Sequence, residues 1–461
     1  MILLNKKIIR YYYWLVKEFF SKHVKLIVGS FFISFIFIIG IISLSPYLAS
    51  FLSSQKRIVG LIGTYDFNSI PEEITNQVSN GLIYINEHGE IIPALATSWE
   101  VRNNGREYRF HLKNNLVWDN GKKFIASDIN YRFADIQSKA IDDKTIDFFL
   151  TKSLPIFPTY LRQPIIQYPL VGIAGLHHVN RIKTKFGNIT EISLEPNKKE
   201  LPSLTYKMYG NETQLLAAYK KGEINEFSVT KKTLADNFAT WKNTKIDRTI
   251  DYSQLMTLFF NHSSELLKQK DPAEQKEIKG AIISAIDQTK FKKLGEVATG
   301  PIQPVSWAYN PDLKKNVYEP EVSEKMLKKA IESSQSAQLN FVTYYDYYEV
   351  ADEIVTELKR DKLSVNLVIA SPDKQNNFDF LLALWKVPLN PDQYYFWHST
   401  QTQGNIGNYK NVKIDKLLED GRNSISLDDR KRIYFDYQRI MQDDPPAVFL
   451  YYPYVYTIKR K

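Results

Sequence analysis

Nineteen consecutive positions, Leu26 to Leu44, are apolar apart from Gly29, Ser30, Ser34, Gly40 and Ser43, and no charge occurs between Lys25 and Lys56. Wound as a helix they extend about 28 Å, close to the ~30 Å hydrocarbon core of a bilayer. The pattern predicts one membrane span, residues 26–48. A cleaved signal peptide is the alternative, but its apolar region is normally ~7–15 residues and this one is longer. Ahead of it Tyr11, Tyr12, Tyr13, Trp14, Phe19 and Phe20 interleave with Lys and Arg, the pattern of a basic segment lying in the interface. No second stretch of comparable length follows.

The remaining chain alternates short strand-like and helix-like runs. Lys56–Ile62 reads as a strand, and a loop follows around Asn68–Pro71. Trp99–Val101 and the period-2 run Tyr108–Leu112 flank Asn103-Asn104-Gly105, a hairpin signal. A second turn, Asp119-Asn120-Gly121, follows Leu116–Trp118. After it the spacing predicts a helix capped near Ser127, with Ile129, Phe133 and Ile136 in register. Residues 150–180 are rich in proline without clear period and receive no assignment. Tyr206–Tyr209 is expected as a strand, followed by a helix carrying Leu215, Leu216 and Tyr219 and closed by Gly222. Glu277–Asp287 is expected as a helix. A strand Leu339–Thr343, a helix Val350–Leu358 and strands Val365–Ile369 and Phe378–Leu384 follow. Ser426 to Asp429 resembles a capping box ahead of Ile433, Tyr437, Ile440 and Met441; Pro445-Pro446 stops that helix and Ala447–Tyr452 is a final strand. Together they describe a mixed α/β body in several lobes.

Charge changes the picture at one end only. The 461 residues carry a net +9, but residues 1–55 hold Lys6, Lys7, Arg10, Lys17, Lys22 and Lys25 against Glu18, leaving 54 basic and 50 acidic residues beyond them. Nucleic acid is therefore not an indicated partner. Because the basic residues all precede the span, residues 1–25 are expected in the cytoplasm and the body outside. The absence of cysteine excludes disulfides, thiolate chemistry and a lipid-modified cysteine anchor.

Catalytic signatures are missing: there is no GxSxG, HExxH, Walker A loop or GxGxxG. His177 and His178 are adjacent, and neighbours on a strand point to opposite faces, so no metal site is assigned. Asp428-Asp429 and Asp443-Asp444 fall at helix ends, where carboxylates satisfy amides and the dipole. No enzyme, cofactor or catalytic residue is expected. The density of aromatic and polar groups peaks in Trp385–His398, after an apolar run. Such a segment suits either core or the ligand-binding loop at a strand's carboxyl end.

Several of these runs, taken in order, resemble the extracellular solute-binding proteins of the oligopeptide and dipeptide type (family 5), the receptors of ABC importers. They are Ile92–Val101, Asn104-Gly105, Tyr108–Leu112, Trp118–Lys122 and Ala126–Ile129, then Leu215–Asn225, Ala281–Asp287 and Gly300–Ile302. Asn408-Tyr409, Val412–Leu418, Asp429-Arg430 and Asp444–Tyr452 continue the pattern. The resemblance implies a type II, three-lobed periplasmic-binding-protein-like α/β fold over residues 57–461. Lobe I is expected at about 57–85, 180–250 and 445–461, lobe II at about 86–179 and lobe III at about 251–444. It also implies a hinge closing on a peptide or other small solute and delivery to ABC permease subunits. A receptor-like body that no longer serves transport is the alternative.

The site residues implied are Trp385, Lys386, Val387, Asp392, Tyr394, Trp397, His398, Asn408 and Tyr409. The family's peptide binders place an Asp shortly after the Trp, to pair with the peptide amino group, where this chain has Lys386, Val387 and Pro388. Either Lys386 faces the cleft and favours an anionic group, or Asp392 takes the amine-pairing role.

Overall fold

The computed structural model describes residues 6–53, 56–268, 270–332, 338–370 and 377–461. A 12-stranded mixed sheet runs through the body. Its order is Val365–Ile369, Leu339–Thr343, Phe380–Lys386, Gln254–Phe260, Ala447–Arg460, Glu226–Val229, Lys56–Ile62, Ser203–Tyr209, Asn188–Pro196 and His177–Lys185. Thr244–Ile250 and Gly295–Val297 also pair with Ala447–Arg460. Lys56–Ile62 lies parallel to both of its neighbours, as does Leu339–Thr343. A separate four-stranded antiparallel sheet, Ala96–Arg102, Glu107–Leu112, Thr145–Leu150 and Ile136–Asp142, covers its own core of Tyr108, Phe110, Phe148 and Phe157.

Local signals account for much of this. In the hairpin Ala96–Leu112, Asn103, Asn104 and Gly105 take positive φ, the region that asparagine and glycine tolerate best. Gly222 closes the helix Glu212–Lys221 at φ 79°. Ser426 Oγ accepts from the Asp429 amide at the start of Leu427–Asp443.

Four expectations are corrected. No helix follows Ser127. Asp128 turns back to accept from the Ile125 amide and the Trp118 indole, so only a 3-10 turn, Ala126–Asp128, forms. Ile129 is then buried, while Ile136 pairs as a strand opposite Leu150. The helix expected over Glu277–Asp287 is Pro272–Ala285, because Asp271 caps the amides of Ala273 and Glu274 with Pro272 in the first turn. The strand expected over Phe378–Leu384 is Phe380–Lys386, its register set by pairing Phe380 with Phe260 and Lys386 with Gln254. The final strand extends to Arg460. Pro453 lacks an N–H, but its carbonyl accepts from Asp251 and the next amide, of Tyr454, donates to Leu294, so the ladder continues.

At the amino end Lys6–Ser53 is helical. Phe31, Phe32, Ile33, Ile36 and Phe37 are all exposed, so the body does not cover this apolar surface. Among the described residues no single helix is long and apolar enough to cross a membrane. Tyr13–Leu26 and Gly29–Gly40, which meet at 59°, satisfy that requirement only as a pair. The side chains of 41–48, the end of the expected span, lie outside the described residues.

Candidate functional site

Strand Ala447–Arg460 joins two halves of the large sheet. Its first part pairs with Gln254–Phe260 and Gly295–Val297, its second with Glu226–Val229 and Thr244–Ile250. Beside it the chain crosses between the same halves at Asp251–Ser253. There the Asp251 carboxylate accepts from the Ser253 amide and hydroxyl and from the Gln254 side chain. A register shift at Met256/Thr257 falls next to this crossing. Two adjacent strand connections, with a register shift beside them, thus link the two halves.

The unit built on the four-stranded sheet faces the unit carrying Trp385–His398 across two grooves. One, of about 760 Å³, is lined by Arg132, Asp135, Lys152, Tyr394, Glu419 and Arg422, with Phe133 and Leu154 on its apolar wall. The other, of about 550 Å³, is lined by His88, Glu90, Trp307, Tyr309, Lys431 and Phe435. Between the facing walls the hairpin tip at His88-Gly89 docks. The Trp307 amide donates to the His88 carbonyl at 2.8 Å, and the Trp307 indole donates to the Gly89 carbonyl at 3.2 Å. His88 Nδ1 lies 3.0 Å from the Val305 carbonyl.

The implied site residues divide by depth. Trp385, Val387 and Trp397 are buried, with the Trp385 ring 5.4 Å from Trp397 and 5.3 Å from Phe396. They form the floor beneath the segment. Lys386 is exposed at the strand end. Asp392 is held by Arg422, whose Nε stands 3.1 and 2.9 Å from the two carboxylate oxygens. Tyr394 lies under that guanidinium at 4.1 Å and stacks on His398 at 4.1 Å. His398 in turn meets Thr400 Oγ1 at 2.8 Å and Glu419 at 3.3 Å. Of the three, Tyr394 lines the larger groove, while Asp392 and buried His398 bond to the groove residues Arg422 and Glu419. Asn408 is exposed, with its side chain directed to Asn261, and Tyr409 is buried beside Asp444 and His262.

Sequence reading missed Arg422, Gln393 and Tyr160. Gln393 is buried and fixes the turn, donating to the Pro301 carbonyl at 2.7 Å and accepting from Trp397 and Tyr437. Arg422 also reaches the Tyr160 hydroxyl of the facing unit at 3.4 Å. Its position at the end of helix Val412–Asn423 carries no local signal beyond a cation suiting a helix terminus.

Behind this segment lies a buried charge cluster. Lys279, 1% exposed, pairs with Asp444, whose carboxylate also accepts from Asn411 at 2.7 Å and Tyr409 at 3.2 Å. His262 is half-buried, its Nδ1 3.1 Å from the Gly407 carbonyl and its Nε2 3.4 Å from the Lys279 ammonium. Desolvation, then the Lys279 charge, lower its pKa to about 4. The unfolded ring titrates near 6.5, so the unfolded chain binds the extra proton between pH 6.5 and 4. Stability is therefore fully present above pH 6.5 and falls as pH drops toward 4, by about 2 kcal/mol after discounting for the half-exposed ring. Denaturant unfolding across this window should show the fall, and His262→Asn should flatten it; an unchanged pH slope in that variant would refute the assignment.

A family model described as bacterial extracellular solute-binding proteins, family 5, matches residues 90–188 and 194–407. The oligopeptide-binding protein AppA of Bacillus subtilis is 27% identical over 289 residues, 55% of this chain and 51% of that protein. The dipeptide-binding protein of Escherichia coli is 22% identical over 479 residues, 86% of each. The probable deoxycholate-binding periplasmic protein YgiS of Escherichia coli is 22% identical, covering 85% of this chain and 86% of its own length. Among solved structures, NikZ of Campylobacter jejuni in complex with Ni(L-His) superposes with a TM-score of 0.72 at 21% identity. It covers 88% of this chain and 94% of that one. These likenesses show the type II periplasmic-binding-protein α/β fold.

Proposed function

The chain belongs to the bacterial extracellular solute-binding proteins of family 5, which are binding proteins and not enzymes, and from that membership we propose a membrane-tethered substrate-binding component of an ABC-type importer. It closes a hinged cleft on a peptide or related small solute and passes that solute to a permease. The observation that carries this reading is the pairing of two strand connections, at Asp251–Ser253 and Pro453, with grooves between the units they join.

In this reading lobe I comprises about 57–85, 180–250 and 445–461, lobe II 86–179 and lobe III 251–444. The separate cores around Phe227, around Phe110 and around Phe341 support three lobes, with Leu82 and Ile83 packing into the Phe110 core and Val448, Leu450 and Tyr451 into the Phe341 core. The basic flank and exposed apolar helix support residues 26–48 as an uncleaved anchor, with 1–25 cytoplasmic and the body outside. Protease added to intact cells then removes the body; a protected body would refute this topology.

Relatives are named for peptides and for deoxycholate, and a structural neighbour holds Ni(L-His), so the fold accepts several solute classes. Peptide is the class most of the relatives' names carry. Native mass spectrometry of the full chain in detergent should show a retained small molecule that a peptide mixture displaces. A chain that neither retains nor binds any component of such a mixture would sink the receptor reading.

A further inference from the structure

Strand direction decides which loops share one end of the large sheet. Lys56 opens the first strand opposite Ser203, so the loop before Ser203, with Lys198 and Lys199, lies at the Lys56 end. Helix Glu212–Lys221 runs back to the same end and finishes with Lys220 and Lys221. Asn225, just beyond it, bonds through its side chain to the backbone of Lys56 and Ile58. Thr244 pairs with Arg460, and the Lys461 amide donates to the Asn243 carbonyl at 2.9 Å, which adds Trp241-Lys242 and Lys459–Lys461. With Arg57 and Lys245, 11 basic residues meet five acidic ones here, Glu195, Glu200, Glu223, Glu226 and Asp247. This end therefore carries +6, whereas the whole body, with 54 basic and 50 acidic residues, carries +4.

Arg57, Lys221, Lys245 and Lys459 pair with those carboxylates, and Arg460 donates to the Tyr219 carbonyl. Lys56, Lys198, Lys199, Lys220, Lys242 and Lys461 are exposed and, among the described residues, make no ion pair. Trp241 stands beside them, 37% exposed, its ring 5.1 Å from Phe238. Unpaired like charges on one face repel each other until an anionic surface opposes them, and tryptophan beside lysine suits a membrane interface. The expected span ends at Leu48, eight positions before Lys56, and eight residues reach at most about 28 Å. Ile62, at the other end of that first strand, lies roughly 20 Å further on. We propose that the Lys56 end of the sheet is a membrane-docking face that binds anionic lipid headgroups, with Trp241 at the interface. This rests on the anchored reading and adds an orientation to it: the bilayer holds one end of the body, and the other end points away.

The test uses the full chain reconstituted into vesicles of phosphatidylcholine, alone or with about one-third phosphatidylglycerol. A membrane-impermeant amine reagent, read by mass spectrometry, should label Lys198, Lys199, Lys220 and Lys242 about 5-fold or more slowly when phosphatidylglycerol is present. Lys185, at the far end of the sheet, should label equally in both vesicles. Raising salt to about 0.5 M should remove the protection, since screening shortens the reach of the charges. Equal labelling of the four lysines in both vesicles overturns lipid as the partner of this face. Flotation reports on the anchor separately, because an anchored chain floats with phosphatidylcholine alone. If it does not, the anchor is refuted and the face is read from flotation with phosphatidylglycerol vesicles. There the variant carrying Lys198→Gln, Lys199→Gln, Lys220→Gln and Lys242→Gln should bind about 100-fold more weakly than the parent. Equal binding of parent and variant would overturn the docking face.

Discussion

Asp444→Ala should destabilise the protein by about 3–5 kcal/mol, the usual cost of removing one partner of a buried ion pair. Lys279 projects from helix Pro272–Ala285 and is 1% exposed, so its ammonium cannot turn to water when the carboxylate goes. Its remaining neighbours are His262 Nε2 at 3.4 Å and the Tyr409 ring at 5.6 Å, neither of which carries the missing charge. Burial already lowers the pKa of Lys279, with Asp444 opposing that shift. Without Asp444 the ammonium must either stay unpaired or lose its proton, and both are costly. The variant also removes an acceptor from Asn411 and Tyr409. Replacing both charges, as Lys279→Met with Asp444→Leu, should restore most of the loss, since an apolar pair of similar volume avoids the desolvation cost. Urea unfolding of the single and double variants checks this. An Asp444→Ala protein within about 1 kcal/mol of the parent would contradict the buried pair.

Gly89→Val should shift the lobes toward an open state by about 2–3 kcal/mol, roughly 30- to 150-fold in population. Gly89 takes φ +81° at the tip of the hairpin Ile83–Pro93, a region costing an L side chain about 1–2 kcal/mol. A Cβ there would stand 2.8 Å from the Leu389 carbonyl oxygen and 3.3 Å from the Trp307 ring. The tip must therefore withdraw, breaking both Trp307 hydrogen bonds and the His88–Val305 contact. The base of the hairpin keeps its shape, because Asn86 Oδ1 accepts from the His88 and Glu90 amides. Small-angle scattering should show a larger radius of gyration for Gly89→Val than for the parent at saturating solute, with solute affinity weakened by a comparable factor. An unchanged radius and affinity would show that the docked tip does not hold the lobes together.

Elements whose cause lies within a few residues were legible in the chain. The hairpin Ala96–Leu112 is announced by Asn103-Asn104-Gly105, the end of Glu212–Lys221 by Gly222, and the start of Leu427–Asp443 by Ser426. The Ser127 helix failed by the same logic. Ile129, Phe133 and Ile136 have helical spacing, but hydrogen bonds from Trp118 and Ile125 to Asp128 and the pairing of Ile136 with Leu150 outweigh that period. In the candidate site, Trp385–His398 was found from composition, but not which of its residues meet the groove. Trp385 and Trp397 became floor because Gln254–Phe260 fixes the register of the strand before them and Gln393 fixes the turn after it.

The order of motifs thus determined the family and the class of fold from sequence by itself. Tertiary structure decided everything that depends on two distant residues meeting. His88 docks beside Val305, 217 positions away; Lys279 pairs with Asp444 across 165; Arg422 pairs with Asp392 across 30. The physical reason is range. A turn or cap is chosen by side chains bonding to backbone three or four residues away, and its signal is written locally. An ion pair, a groove wall or a hinge exists only after packing has brought separate segments together, and the same Arg on a helix reads identically whether its partner is a carboxylate, a solute or water.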